Sequence, residues 1–402
     1  MQATAWTRGP VGIDMIGRVT RNGCKTVLVL VPTMTAGTRL LDLLPVLDGD
    51  HRVQVVFTMP SSEDVWHGLD GFVRDLGALV LPWDQARRHN WDLVLSASHD
   101  CIEHVHGKLL LLPHGAGAGK SRKRTRTVTG GVLPTTGLDR QLLTRRGQVI
   151  PATIALPTEA DQALLRRTCA EAVPRSLVVG DICLDRIMAS VVHRSRYRAA
   201  LGVGDQDELI TISSTWSPES VFGKHIELYE RLVVEAAHAQ TKVAAVLHPN
   251  IWAVHGRWQV RSWLARATAR GLLVIPPERG WQATVIASDI VIGDHGSTSA
   301  YAGALGGRMC LAAFPDHNIR AGSVGHTLGR FAPRLDPDAP LRPQLDRVRA
   351  RPGSTRLREA ISARPGMSHR LLRTAMYRLL DIPEPPWPVF VTSAPIPIPL
   401  DW

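Results

Sequence analysis

The sequence predicts an α/β protein of two Rossmann-like halves, each a doubly wound parallel sheet, facing each other across a cleft. Three observations carry this expectation. Short apolar runs alternate with helix-spaced stretches in both halves of the chain. Two of those runs, LLLLPHGAG (109–117) and ASDIVIGDHGSTSAYAGALGGRMCLAAFP (287–315), stop on Gly-rich turns leading into helical or loop segments, where open α/β sheets hold phosphates. At 402 residues the chain also exceeds one ordinary core.

In the first half the strands are TVLVLVP (26–32), VQVVFTMP (53–60), ALVLPW (78–83), DLVLSAS (92–98) and KLLLLPHG (108–115). Apolar runs this short, without clean alternation, fit strands buried on both faces. TRLLDLLPVLDGD (38–50) has helical spacing and a closing Gly. Residues 116–150 are rich in Gly, Thr and basic residues and carry little periodicity, the signature of a long loop. TEADQALLRRTCAEAV (158–173) is a helix with Thr158 as N-cap, SLVVGDICLDRI (176–187) a strand and turn, and HRSRYRAALGV (193–203) a helix leading into the second half.

There the plan repeats. ELITISSTW (208–216), KVAAVLHPN (242–250), LLVIPP (272–277), DIVIGDHGS (289–297) and RMCLAAFP (308–315) are strands; HIELYERLVVEAAHA (225–239) and RSWLARATARG (261–271) are helices. Past residue 335, SHRLLRTAMYRLLDI (368–382) is the only helix expected, and PEPPWPVFVTSAPIPIPL (383–400) is expected to be extended. The domain boundaries expected are 1–190 for an acceptor domain, 191–335 for a nucleotide-donor domain, and 336–402 for a helix and Pro-rich tail packing back on the first domain.

Composition narrows the function classes. Hydrophobic content is 44%, ordinary for a globular chain, and no apolar stretch approaches the roughly 20 residues of a membrane span. The N-terminus lacks the basic-then-apolar order of a signal peptide, and five scattered cysteines read as reduced, so a cytoplasmic setting is expected. Net charge is +11, with only six lysines among 47 basic residues. The charges are dispersed and aromatics few, which argues against a nucleic-acid partner. The exception is the cation-dense SRKRTRT (121–127), placing Arg122, Lys123 and Arg124 as ligands for an anionic acceptor or for peripheral contact with a membrane face.

Several positions can carry chemistry. His114 ends a buried strand and precedes Gly115, at the rim where ligands bind. Imidazole is the side chain suited to taking a proton from a hydroxyl near pH 7; the plain alternative is a histidine that caps the turn. Gly293-Asp294-His295-Gly296-Ser297-Thr298 opens a small-residue helix whose free N–H groups favour phosphate, with the Ser297 and Thr298 hydroxyls as added donors. His248, before Pro249, and Ser214-Thr215-Trp216 close two further strands and supply donors or a stacking face. GAGAGKS (115–121) imitates a phosphate-binding loop, but His114 stands where its first Gly belongs. SHDCIEHVHG (98–107) holds metal-ligand residue types at a spacing that matches no metal motif and reads as exposed helix, so no metal is expected.

Taken in order, LLPHGAG, VVGDICLDRI, ISSTW, LHPN and ASDIVIGDHGSTSAYAGALGGRMCLAAF resemble the CDP-glycerol glycerophosphotransferases, the teichoic-acid polymerase superfamily of GT-B fold, over roughly residues 90–320. The last segment is also similar to UDP-N-acetylglucosamine 2-epimerases. The resemblance implies a transferase acting on a nucleotide-activated, CDP-linked donor and a hydroxyl-bearing acceptor, with no separate cofactor. It implies His114 and Asp294 as catalytic residues and Gly115, Ser214, Thr215, His248, Gly296, Ser297 and Thr298 around the nucleotide and its phosphates. This chain departs from the family in having His295 after the late Asp and Ala-Gly-Ala-Gly-Lys after the His-Gly. A nucleotide-sugar glycosyltransferase or epimerase, and a nucleotide-binding protein without catalysis, are the alternatives.

Overall fold

A computed structural model describes residues 6–10, 19–60, 66–116, 123–126, 132–135, 137–237, 240–351 and 355–401. They divide into two compact units. Unit 1 comprises Met1–Gly115, Gly137–Ile182 and Arg364–Thr392; unit 2 comprises Ala116–Thr136, Cys183–Ala363 and Ser393–Trp402.

Unit 1 is built on a seven-stranded, wholly parallel sheet. Its strands are β1 (Lys25–Leu30), β2 (Val53–Thr58), β3 (Val80–Leu81), β4 (Asn90–Ser96) and β5 (His106–Leu111). Two short antiparallel pairs follow in the chain, β6 (Lys123–Arg126) with β7 (Val132–Thr135) in unit 2 and β8 (Thr144–Arg145) with β9 (Gln148–Val149) in unit 1. Then β10 (Thr153–Leu156) and β11 (Ser176–Val178) complete the sheet, in the order β11-β10-β5-β4-β1-β2-β3. Residues 116–150, expected as loop, therefore contain two hairpins and a short helix, Arg140–Leu143. Hairpins this short carry too few residues for a periodic signal, which is also why the four-residue β10 escapes notice. The SHDCIEHVHG stretch is not a helix: a short 3-10 turn, Ile102–His104, leads directly into β5.

Helix Met34–Leu43 follows β1, capped by Thr33, whose hydroxyl accepts from the Ala36 amide at 3.2 Å. Thr158 caps Glu159–Thr168 in the same way through Asp161. The core joins Val27, Val29, Leu93 and Leu95 of the sheet to Leu40 and Leu43, and to Leu372, Met376, Tyr377 and Leu380 of helix Ser368–Leu380. A sheet of this kind is stable only with both faces covered, and the late helix supplies part of that cover.

Unit 2 carries a second all-parallel sheet of β12 (Glu208–Ser214), β13 (Thr241–Leu247), β14 (Leu273–Ile275), β15 (Ile290–Gly293) and β16 (Arg308–Leu311), in the order β14-β13-β12-β15-β16. Around it lie helices Arg194–Ala200, Glu227–Ala236, Pro249–Thr268, Trp281–Ala287 and Ser297–Ala304. Two helices beyond residue 335 were not expected, Leu341–Arg349 and Arg356–Ile361. Leu341, Leu345 and Val348 lie at helical spacing and enter the core of this unit, but the arginines between them dilute the pattern. Among the described residues no helix is long and apolar enough to cross a membrane.

In each sheet the strand order reverses once, between β1 and β4 in unit 1 and between β12 and β15 in unit 2. Crevices at such reversals, outside the carboxyl ends of the strands, are where doubly wound sheets bind ligands.

The late helix of unit 1 is tied down through Asp50. This buried carboxylate accepts from the Arg52 side chain at 2.7 and 2.9 Å and from the Tyr377 hydroxyl at 2.7 Å. The Arg52 guanidinium, then the Arg52 amide and the Tyr377 hydroxyl, hold its pKa well below the usual carboxylate range against the opposing cost of burial. The depressed value makes its stabilisation present above the unfolded carboxylate's value of about 3.9 and lost as pH falls through the lower folded value. Asp50→Asn is expected to cost about 2 kcal/mol at pH 7, a fall of several degrees in melting midpoint. The gap between wild type and variant should close as melts are repeated from pH 4 downward; a gap that does not change with pH would refute the ionic account.

Candidate functional site

The reversal in unit 2 brings the late Gly-rich segment beside the ISSTW strand end. β12 pairs with β15 in the register Ile210↔Ile290, Thr211↔Val291 and Ile212↔Ile292, which sets Ser214-Thr215 next to Gly293-Asp294. The main-chain amide of His248 donates to the Ser214 carbonyl at 2.9 Å, adding the end of β13 on the other side. Three neighbouring strand ends thus present Ser214, Thr215, Trp216, His248 and the start of helix Ser297–Ala304 together.

Asp294 organises this place. It is fully buried. Its Oδ2 accepts from the amides of Thr215 at 2.9 Å and Val221 at 3.2 Å, and lies 3.3 Å from the Ser214 hydroxyl. Its Oδ1 accepts from the Gly296 amide at 2.9 Å, and its own amide donates to the Ser299 hydroxyl at 3.1 Å. Burial raises its pKa from the usual value, opposed by the adjacent His295 and by the amides of Gly296, Thr215 and Val221. Tyr229, also wholly buried, has its phenol driven up first by burial and then by the charge of Asp294.

The two glycines allow the approach. A Cβ on Gly293 would collide with the Ser299 hydroxyl, and one on Gly296 would lie 3.0 Å from Asp294 Oδ1 and 3.2 Å from Thr215 Cβ. A side chain at 296 would push Asp294 and the Thr215 strand end apart by a few tenths of an ångström. Ser297 and Thr298 are half-buried in the first turn of the helix, and the Ser297 hydroxyl accepts from the Ala116 amide at 3.1 Å. A helix start has main-chain N–H groups without intrahelical partners and the positive end of the dipole, the combination that holds phosphate oxygens.

His248 is half-buried at the N-cap of helix Pro249–Thr268, and its Nδ1 accepts from the Asn250 amide at 3.1 Å. An accepting Nδ1 places the proton of the neutral ring on Nε2, which makes that nitrogen a donor. Trp216 is 43% exposed, with its ring centroid 6.3 Å from that of His248.

In unit 1, His114 lies three residues past the end of β5 and is exposed. Its Nδ1 is 3.0 Å from the Ala97 carbonyl, at the end of β4. A carbonyl can only accept, so Nδ1 carries the proton and Nε2 of the neutral ring keeps its lone pair. The His114 carbonyl accepts from Arg39 Nη2 at 3.4 Å, while Arg39 Nη1 is 3.3 Å from Asp181 Oδ1, both ions being buried. Gly115 is buried behind it.

Arg39 and Asp181 were not singled out by sequence. Asp181 directly follows Gly180 at a strand end, the signal that marked Asp294 within its own turn, but Arg39 falls mid-helix among leucines without distinction. Arg122 and most of GAGAGKS lie outside the described residues, and Lys123 and Arg124 are described only as members of β6, opposite Thr135 and Pro134 of β7. Among the described residues no group of three or more His, Cys, Asp or Glu side chains is placed to hold a metal.

No family model matches the sequence, and no curated protein matches it. Solved structures do. A variant of the wall teichoic acid polymerase TagF soaked with CDPG superposes with a TM-score of 0.57 at 10% identity, covering 92% of each chain. MnaA of S. aureus in complex with UDP gives 0.54 at 11% identity, over 89% of this chain and 97% of that one. The UDP-GlcNAc 2-epimerase of Methanocaldococcus jannaschii gives 0.51 at 12% identity, over 88% and 99%. The fold is the one these structures share, a GT-B-like α/β arrangement with two parallel sheets.

The geometry makes Asp294 the staple of its turn. Asp294→Ala strands three main-chain amides without their acceptor and is expected to cost about 3 kcal/mol or more. Hydrogen exchange at the Thr215, Val221 and Gly296 amides should speed up ahead of amides elsewhere in unit 2. Exchange that rises uniformly across the unit would show that the carboxylate does not organise this turn.

Proposed function

We propose that the protein is a GT-B-type transferase that moves glycerol phosphate, or a similar group, from a CDP-linked alcohol to the hydroxyl of an acceptor. The observation that carries the reading is the pair of opposite main-chain partners at Nδ1, the Ala97 carbonyl for His114 and the Asn250 amide for His248. In the neutral rings these partners make Nε2 of His114 an acceptor and Nε2 of His248 a donor. One suits taking a proton and the other suits a phosphate oxygen.

In this mechanism the acceptor oxygen attacks the phosphorus that bears the glycerol. Its proton passes to Nε2 of His114, the bond from that phosphorus to the CMP oxygen breaks, and CMP leaves with the electron pair. The donor phosphates are held by the Ser297 and Thr298 hydroxyls, the amides at the start of helix Ser297–Ala304 and Nε2–H of His248, and Gly296 keeps that helix start clear of a side chain. Such pre-aimed donors act on the charge that develops in the transition state. Asp294, Ser214 and Thr215 serve by positioning the turn. Arg122, Lys123 and Arg124 supply cations for an anionic acceptor, and the setting is cytoplasmic with peripheral contact at a membrane face. No cofactor beyond the nucleotide donor takes part.

A nucleotide-sugar enzyme is the second reading, favoured by the likeness to MnaA bound to UDP and to a 2-epimerase. The released nucleotide separates the two: CMP for phosphotransfer, a nucleoside diphosphate for glycosyl chemistry.

His114→Ala is expected to lower CMP release from CDP-glycerol by about 10²- to 10⁴-fold, the usual worth of a general base. Stabilisation of the same variant by CMP should remain, about 2.7 kcal/mol at 100 times Kd. Full turnover in His114→Ala would remove the base assignment. A wild-type protein stabilised by uridine nucleotides and not by cytidine ones would move the function to the second reading.

A further inference from the structure

Trp216 stands out at the strand ends of unit 2. The residues before it are packed away: Ser213 and Ser214 are buried and Thr215 is half-buried, its amide committed to Asp294. Trp216 then turns outward with 43% of its surface accessible. Its place is fixed on two sides. Thr215 abuts the Gly296 turn that begins helix Ser297–Ala304, and the indole lies beside the His248 imidazole. A large flat aromatic ring is therefore held beside His248, one residue past the Thr215 that meets the start of helix Ser297–Ala304, and is partly exposed.

We propose that Trp216 is the platform on which the nucleobase of the donor stacks, an assignment that rests on the nucleotide-transferase reading above. Of the parts of a nucleotide-activated alcohol only the base is aromatic, so it is the part a half-exposed indole recognises best. Phosphates at the helix start and at His248 leave the base to extend from them along the same strand ends, where Trp216 lies. Stacking on an aromatic face is tolerant of base identity because every base presents a π-face. Trp216 accordingly contributes affinity for the nucleoside and leaves the choice between cytosine and uracil to other groups.

The test is calorimetric titration of the full chain and of Trp216→Ala and Trp216→Phe with CMP, UMP and inorganic pyrophosphate. Trp216→Ala is expected to weaken CMP and UMP by similar factors of about tenfold to a hundredfold, the usual effect of losing one stacked base. Pyrophosphate binding should be unchanged, and Trp216→Phe, which keeps a ring, should recover most of the loss. CMP binding as tight in Trp216→Ala as in wild type overturns the assignment. So does an equal weakening of pyrophosphate, which would place the effect in the turn and not in a stack. A wild type that binds pyrophosphate but no nucleotide overturns the nucleotide reading itself, a result distinct from either.

Discussion

Two buried or half-buried carboxylates, one at each end of a single strand, hold the site of unit 2 in place. β15 is flanked by Asp289 and Asp294. Asp289 Oδ2 accepts from the Leu209 amide at the start of β12, while Asp294 Oδ2 accepts from the Thr215 amide just beyond its end. β12 and β15 are thereby fastened to each other at both ends as well as along the ladder between them. Slip by one residue would break both fastenings and turn buried side chains to the wrong face. Everything the site offers depends on this register, since it sets Gly296 against Thr215 and so aims the helix start.

The two fastenings are chemically different. Asp289 is met by cations, Arg194 Nη2 at 2.6 Å and Arg198 Nη1 at 2.8 Å, which bind the helix Arg194–Ala200 to the strand. Asp294 is met by neutral donors, the main-chain amides of Thr215, Val221 and Gly296 and the Ser214 hydroxyl. The amides tie the Gly296 turn to the Thr215 strand end and to Val221 through a single carboxylate. In unit 1 a buried ion pair is used differently. Replacing a buried ion pair with apolar side chains is often neutral or stabilising, so Arg39–Asp181 is better understood by where it points: at the His114 carbonyl.

The strands were legible because parallel sheets covered on both faces demand continuous apolar runs. TVLVLVP, DLVLSAS, ELITISSTW, KVAAVLHPN and DIVIGDHGS all contain the observed β1, β4, β12, β13 and β15 or overlap them closely. β10 was not legible, since four residues behind Pro151 give no period to measure. Leu341–Arg349 was hidden by its arginines, although Leu341, Leu345 and Val348 keep the spacing that identifies a buried face. The hairpins within 116–150 follow the same logic, because antiparallel pairing over two to four residues is decided by the partner strand.

Local sequence determined which segments become buried strands, where they stop on glycine, and that histidine, serine and threonine stand at those stops. Such features depend on neighbours within a few residues, so a linear reading reaches them. Tertiary structure alone decided the strand order, and with it that ISSTW lies beside GDHGST although some eighty residues separate them in the chain, as the Thr215–Asp294 bond at a separation of 79 records. It also decided that the Asp294 carboxylate turns inward to amides, that Nδ1 of His114 meets a carbonyl and Nδ1 of His248 an amide, and that Arg39 reaches the turn at His114. Each of these is a contact between residues distant in the chain, or a ring nitrogen met by a main-chain partner. Neither leaves a trace in composition or periodicity, because each is fixed only when the sheets have assembled and the buried polar groups must find partners.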